Sequence, residues 1–211
     1  MAGFDIDFSM FGIAPTKEQA ESADERVRSV QIFKTWDTQK KMRVMSEKKL
    51  DEVLDWHFEK GCAYHAISYG DVDSLSWLRH VAKQQRLDYV MLSTWCMATS
   101  DAEEMLSWAK AGNVKRFDFY VGEIFKNGYR GCLDVLDKIC DLTGGRVARV
   151  RNHSKLMAFY GERFDGVIES SANVDTNPRI EQTSITIDTG LADFYKSFFD
   201  ELIDFDQRRP E

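Results

Sequence analysis

The feature that most narrows the fold of this chain is a change of apolar rhythm near its middle. Between residues 62 and 145, short β-rich runs alternate with segments of helical period. Residues 62–68 (CAYHAIS), 89–94 (YVMLST) and 116–121 (RFDFYV) predict strands, the first of them buried. Residues 71–84, 100–111 and 129–142 predict helices; in the first, Leu75, Leu78, Val81 and Ala82 share a face. The second stops at Gly112 and the third at Gly144-Gly145, as helices do where a left-handed residue is needed. From 146 onward, strands predicted at 146–151, 154–160, 165–170 and 182–187 follow one another directly, and an amphipathic helix over 190–205 closes the run. Alternation followed by a strand-rich end implies an α/β sandwich: a mixed β-sheet flanked by helices on both faces.

That body occupies 61–205 of the 211 residues. Residues 16–60 read as a helical N-terminal extension, with one helix capped by Thr16 and running to about Phe33 and another over 46–59. Residues 1–15 and 206–211 read as tails. In the first tail Phe4, Ile6, Phe8, Met10 and Phe11 alternate with acids and glycine. Such a segment either folds back over an exposed edge or docks on a protein partner. The formal net charge of −7 sits at the ends: acids outnumber bases six to three in 1–29 and seven to three in 188–211, leaving 30–187 neutral. This is no overall basic nucleic-acid protein, but a local basic site is compatible with it. The densest basic stretch, Lys40, Lys41, Arg43, Lys48 and Lys49, is either a solvated helix face or a contact to a nucleic-acid backbone. No apolar run approaches a membrane span, and the N-terminus lacks a secretory pattern. Cys62, Cys96, Cys132 and Cys140 form no CxxC pair, so reduced, mostly buried thiols and a cytoplasmic location are expected, with no structural zinc.

The chemistry is concentrated in 146–188, RVARVRNHSKLMAFYGERFDGVIESSANVDTNPRIEQTSITID. If 149–157 is extended, Arg149, Arg151, His153, Lys155 and Met157 share one face, and cations lining a strand face are costly unless an anion or water meets them. Ser170-Ser171-Ala172-Asn173 follows at a strand end, offering small donors to a phosphate oxygen. Glu181 precedes a β-branched strand, where a carboxylate can hold an imidazole in one tautomer. Lysine, asparagine and serine around one histidine make a phosphate cradle with a nucleophile in it.

His153-Ser-Lys155, Ser171-Ala-Asn173 and Asn177-Pro-Arg-Ile-Glu181 resemble the HxK…SxN…E signature of the phospholipase D superfamily, and the wording around 170–182 is similar to its single-motif phage and mobile-element members. The resemblance implies the superfamily's sandwich fold and a metal-independent phosphodiesterase without cofactor, a nuclease. His153 would attack phosphorus and form a phosphohistidine, Lys155 and Asn173 would hold the non-bridging oxygens, Ser171 would support them, and Glu181 would orient the His153 ring. Arg149 and Arg151 would add anion affinity. The family's chemistry uses two histidines, and this chain carries one motif and no internal repeat, so a homodimer with its two His153 residues facing across a two-fold axis is implied. The family's aspartate five residues after the motif lysine is here Tyr160. That departure leaves an alternative: a catalytically inactive relative that binds nucleic acid or a protein partner.

The remaining candidates read mainly as structure. His65 is expected in the core, as are Trp77, Trp95 and Trp108; Thr94 either ends a strand or lines the pocket; Gly144-Gly145 stops a helix and is not a phosphate loop.

Overall fold

A computed structural model of the chain describes Leu50 and residues 57–68, 72–175 and 179–205. The chain divides into two units, Met1–Lys41 and Met42–Glu211, and the described residues belong to the second. The expected tails, the helix from Thr16 and the Lys40–Lys49 basic stretch lie outside the described residues; of the helix expected over 46–59, Leu50 is described and helical, and residues 57–59 are described and are not helical.

Seven strands form one mixed sheet: β1 (Ala63–Ser68), β2 (Leu87–Thr94), β3 (Phe117–Gly122), β4 (Arg146–Val150), β5 (Leu156–Gly161), β6 (Gly166–Ser170) and β7 (Glu181–Thr186). Their order across the sheet is β1-β7-β6-β5-β2-β3-β4. The segment that alternates with helices supplies the parallel part, β2-β3-β4, because a parallel partner can be reached only through a crossover. The strand-rich end supplies antiparallel pairs: β2 with β5, β5 with β6, β6 with β7, and β7 with β1. Five helices lie wholly within the described residues: α1 (Ser74–Gln84), α2 (Thr99–Ala111), the short α3 (Phe125–Gly128), α4 (Arg130–Thr143) and α5 (Thr189–Asp200). Asp73 caps α1 by accepting the Ser76 N–H at 2.7 Å, and Asp188 caps α5 by accepting that of Leu191 at 2.7 Å. Gly112 and Gly144 end α2 and α4 with φ of +72° and +67°.

Strand alternation sorts the side chains onto two faces. Val90, Leu92, Phe117, Phe119, Val121, Met157, Phe159 and Ile168 join α1, α2 and α4 in the larger core. Tyr89, Met91, Tyr120, Ala148, Leu156, Ala158 and Val167 face the other way and pack with Ala192 and Phe199 of α5. Helices therefore cover both faces, as the sequence rhythm implied.

Two expectations need correction. β1 is not a buried strand: it sits at the sheet edge, so Ala63, His65 and Ile67 are exposed while Tyr64 and Ala66 pack inward. His65 is accordingly not a core histidine. The final helix stops at Asp200 rather than at 205; the chain turns away there and brings Asp204 onto Arg149.

Candidate active site

The parallel strands end at Thr94, Gly122 and Val150, the end of an open α/β sheet where ligands collect. β4 is the edge strand, whereas its successor β5 lies beyond β2, so residues 151–155 must cross the ends of β3 and β2. Asn152 fixes that crossing. Its buried amide nitrogen donates to the Tyr120 carbonyl at 2.8 Å and to Ser93 Oγ at 2.8 Å, and its Oδ1 accepts from the Ser154 N–H at 2.9 Å and the Ser154 hydroxyl at 2.6 Å. Ser93 and Ser154 hydroxyls lie 2.6 Å apart. With Ser154 donating to Asn152, Ser93 donates to Ser154, and the three side chains close a ring in which each hydrogen bond polarises the next. The close passage needs Gly122, since a Cβ there would lie 2.8 Å from Trp95 Cδ1 and 3.4 Å from the Asn152 carbonyl.

Because Asn152 and Ser154 turn inward, the residues between and after them turn outward. His153 is exposed and Lys155 half-buried. Lys155 Nζ donates to the His153 carbonyl at 2.7 Å and lies 3.2 Å from His153 Nδ1. The His153 ring stands 5.5 Å from the Trp95 indole, centroid to centroid. Trp95, expected in the core, is 36% exposed and walls the site instead. Burial holds the Lys155 ammonium below the ordinary lysine value, with Cys96 and Glu181 pulling it the other way.

The second half of the motif hangs on the same strand end. The Thr94 hydroxyl donates to the Cys96 carbonyl at 2.8 Å, with Asn173 Oδ1 3.4 Å away, the Val174 N–H donates to that hydroxyl oxygen at 3.3 Å, and a bridge pairs Val174 with Met97. Ser74 of α1 donates to the Ala172 carbonyl at 2.6 Å, and the Ser170 N–H donates to the Lys155 carbonyl at 3.0 Å. Adjacent residues of β2 thus hold both halves: Ser93 the His153 loop, Thr94 the Asn173 loop. Thr94 is the last residue of β2 and is fully buried, so of its two alternatives the strand terminus is the one the structure shows.

Glu181 opens β7 and is 8% exposed. It does not hydrogen-bond His153 as expected; its Oε2 accepts from the Ser171 hydroxyl, and Ser171 Oγ in turn accepts from the Gln182 N–H at 2.9 Å. The ladder places Glu181 opposite Ser68 of β1 and behind the 171–173 turn, which is why it meets serine rather than histidine.

The shared face expected over 149–157 does not form, because 151–155 is a crossing loop and not a strand. Arg149 turns away to Asp204, which accepts its Nε at 2.9 Å, its Nη2 at 3.0 Å and its backbone N–H at 2.8 Å. Arg151 is exposed, its guanidinium 5.9 Å from the Phe205 ring centroid. Tyr160 donates to Asp193 of α5 at 2.8 Å and so joins β5 to that helix. Asn152, Ser154 and Ser93 carry no role in the sequence reading; the signal available was a run of small polar residues, Asn152 and Ser154, interleaved with the reactive pair.

Two clefts flank the crossing loop. One, of about 540 Å³, runs from Arg151, His153 and Ser154 to Phe194 and Phe198 of α5. The other, of about 460 Å³, is lined by Glu123, Lys126, Arg149, Arg151 and Phe205. Among the described residues no helix is long and apolar enough to cross a membrane.

No protein-family model and no curated protein matches the chain. Solved structures do. Polyphosphate kinase from Porphyromonas gingivalis is 17% identical, with a TM-score of 0.50 over 71% of this chain and 27% of that one. NucT from Helicobacter pylori is 19% identical, with a TM-score of 0.52 over 66% of this chain and 95% of that one. A phosphatidylserine synthase from Haemophilus influenzae Rd KW20 is 11% identical, with a TM-score of 0.42 over 66% of this chain and 37% of that one. The chain thus spans about a quarter of the polyphosphate kinase it matches and nearly all of NucT. The chain thus has an α/β sandwich fold, a mixed seven-stranded sheet with helices on both faces, like that of the first two of these proteins and as the resemblance of its motif to the phospholipase D superfamily implied.

Proposed function

We propose that the chain is a phosphodiesterase of the phospholipase D type, a metal-independent nuclease that works as a homodimer. The observation that carries this reading is the common anchorage of the motif: His153 and Lys155 stand on one loop and Asn173 on another, and neighbouring residues of β2, Ser93 and Thr94, hold both. That the nuclease NucT has the same fold supports it.

In the proposed reaction, a His153 ring nitrogen attacks phosphorus and the bond from phosphorus to the leaving oxygen breaks. The partner's His153, protonated, gives its proton to that oxygen. Water then attacks the phosphohistidine, the partner's imidazole takes the water proton, and a phosphomonoester leaves with His153 restored. Lys155 leaves Nδ1 and the His153 carbonyl for a non-bridging oxygen, a move that returns charge stabilisation to an ammonium depressed by burial. Asn173 donates to the second oxygen. Glu181 acts through Ser171, fixing the turn that carries Asn173.

One observation favours the alternative of an inactive binding protein: Lys155 occupies His153 Nδ1, the nitrogen that must carry a proton if Nε2 is to attack. Incubating wild-type and His153→Ala protein with single- and double-stranded DNA and RNA in EDTA separates the two. Cleavage by wild type alone is expected; binding without cleavage by both proteins would establish the alternative.

A further inference from the structure

We infer that the exposed aromatic face of α5 is a base-stacking platform that selects single-stranded nucleic acid for the His153 site. The inference rests on the reading of that site as a nuclease centre and adds its substrate class. Phe194 and Phe198 are 65% and 59% exposed, an unusual display for residues of that size. They lie one turn apart and so share one helix face. Each is braced edge-on by a neighbour: Phe194 by Tyr195, with centroids 5.2 Å apart, and Phe198 by Phe199, at 5.4 Å. The bracing residues are themselves fixed, Tyr195 by its hydroxyl on Glu169 at 2.5 Å and Phe199 by the Tyr120 ring at 4.9 Å. The rings are therefore held in place before any ligand arrives.

What they face identifies the ligand. The same 540 Å³ cleft has His153 and Arg151 in its wall and, among the described residues, no carboxylate in its lining. Arg151 also borders the second cleft, beside Lys126, and among the described residues no carboxylate pairs with its guanidinium. A ligand that suits both parts carries flat apolar rings and an anionic link between them. A polynucleotide does, and only unpaired bases offer their faces to an aromatic ring. Arg151 would take a backbone phosphate next to the one at His153, while bases lie on Phe194 and Phe198. A duplex hides its base faces and would meet the cations alone.

The test uses the full-length His153→Ala protein, which binds without turnover. Fluorescence anisotropy compares a single-stranded oligothymidylate, an abasic strand with the same number of phosphates, and a blunt duplex. The oligothymidylate should bind on the order of tenfold more tightly than the abasic strand. Phe194→Ala/Phe198→Ala should remove that preference while leaving the abasic affinity in place, with an unchanged thermal midpoint showing that the variant is folded. Equal affinity for all three probes, or an unchanged preference in the double variant, overturns the platform. Conversion of a dimer into a monomer by the double variant, seen by light scattering, also overturns it, because the face is then a subunit contact. Hydrolysis of bis(4-nitrophenyl) phosphate by the wild-type protein tests the catalytic reading separately. If that hydrolysis is absent, the nuclease reading fails while the binding comparison still decides whether bases stack on α5.

Discussion

Removing the Asn152 side chain should cost both stability and turnover, and the two losses can be worked from the ring it closes. Asn152→Ala deletes the bonds to the Tyr120 carbonyl, Ser93 Oγ, the Ser154 N–H and the Ser154 hydroxyl. A buried hydrogen bond contributes about 0.5–1.5 kcal/mol net, and an abandoned partner costs about 1–3 kcal/mol. Ser93 and Ser154 already touch at 2.6 Å and can satisfy each other, so the Tyr120 carbonyl and the Ser154 N–H are the groups left without their partner. Two such groups sum to about 2–6 kcal/mol, below most of the ~5–15 kcal/mol range that domains possess, so the variant should fold. Freed from the ends of β2 and β3, the loop should let His153 drift by about 1 Å, enough to lower kcat on the order of a hundredfold. Asn152→Asp should be no milder, since it presents an acceptor to the Tyr120 carbonyl and buries a charge. Urea denaturation gives the stability and steady-state cleavage gives kcat. An alanine variant that loses less than about 0.5 kcal/mol, the range of neutral surface changes, and keeps full kcat would refute the anchoring argument.

Further outcomes follow from the contacts of the arginines, Tyr160 and the cysteines. Arg149→Ala should destabilise by about 2 kcal/mol through loss of the Asp204 pair, less than the ~3–5 kcal/mol of a fully buried pair because Arg149 is partly exposed, with no change in the salt dependence of anion binding. Arg151→Ala should do the reverse, lowering the slope of log affinity against log salt by about one while stability stays within about 0.5 kcal/mol; equal salt slopes in the two variants would count against the division. Tyr160→Phe should cost about 1 kcal/mol through the lost Asp193 bond and leave kcat intact, and a dead but folded Tyr160→Phe enzyme would show that Tyr160 does more than join β5 to α5. Burial pushes the Cys132 and Cys140 thiols up to about 12 from the usual 9.0. Above pH 9 the unfolded chain gives up those protons while the folded one keeps them, so stability should fall as pH rises from 9 towards 12. Equilibrium unfolding across that range measures it, and the slope should become shallower in Cys132→Ala/Cys140→Ala, the remainder coming from Tyr89, Tyr120, Tyr160 and Tyr195, whose hydroxyls are also held above their usual range.

The sheet was legible because its two parts differ in rhythm. Helical spacing between β2, β3 and β4 followed by uninterrupted strands after 146 implied a mixed sheet, whose parallel part is β2-β3-β4 and whose antiparallel pairs include β5 with β6 and β6 with β7. Strand position was not legible: an apolar run such as CAYHAIS has the same pattern at an edge or in the centre, and β1 proved to be an edge. At the site, the motif residues could be picked out by type, but strand periodicity was carried too far. It gave Arg149 the face of His153, whereas the loop at 151–155 breaks the alternation and Asp204, more than fifty residues away, takes Arg149. The Glu181–Ser171 contact depends on how β7 pairs with β1 and on the 171–173 turn, registers that no local pattern encodes. Trp95 was expected in the core because indoles are usually buried; its ring instead lies against Gly122, whose missing side chain leaves room for it, and stays 36% exposed.

The central claim is that His153 makes a covalent bond to phosphorus. Wild-type protein mixed with excess oligonucleotide and quenched within one turnover in alkaline denaturant, which preserves phosphoramidates, should show by intact mass a species heavier by one nucleotidyl fragment. Peptide mapping should assign the adduct to His153, and His153→Ala protein should show none. Efficient cleavage in EDTA with no adduct at any quench time, or an adduct on another residue, would contradict the account.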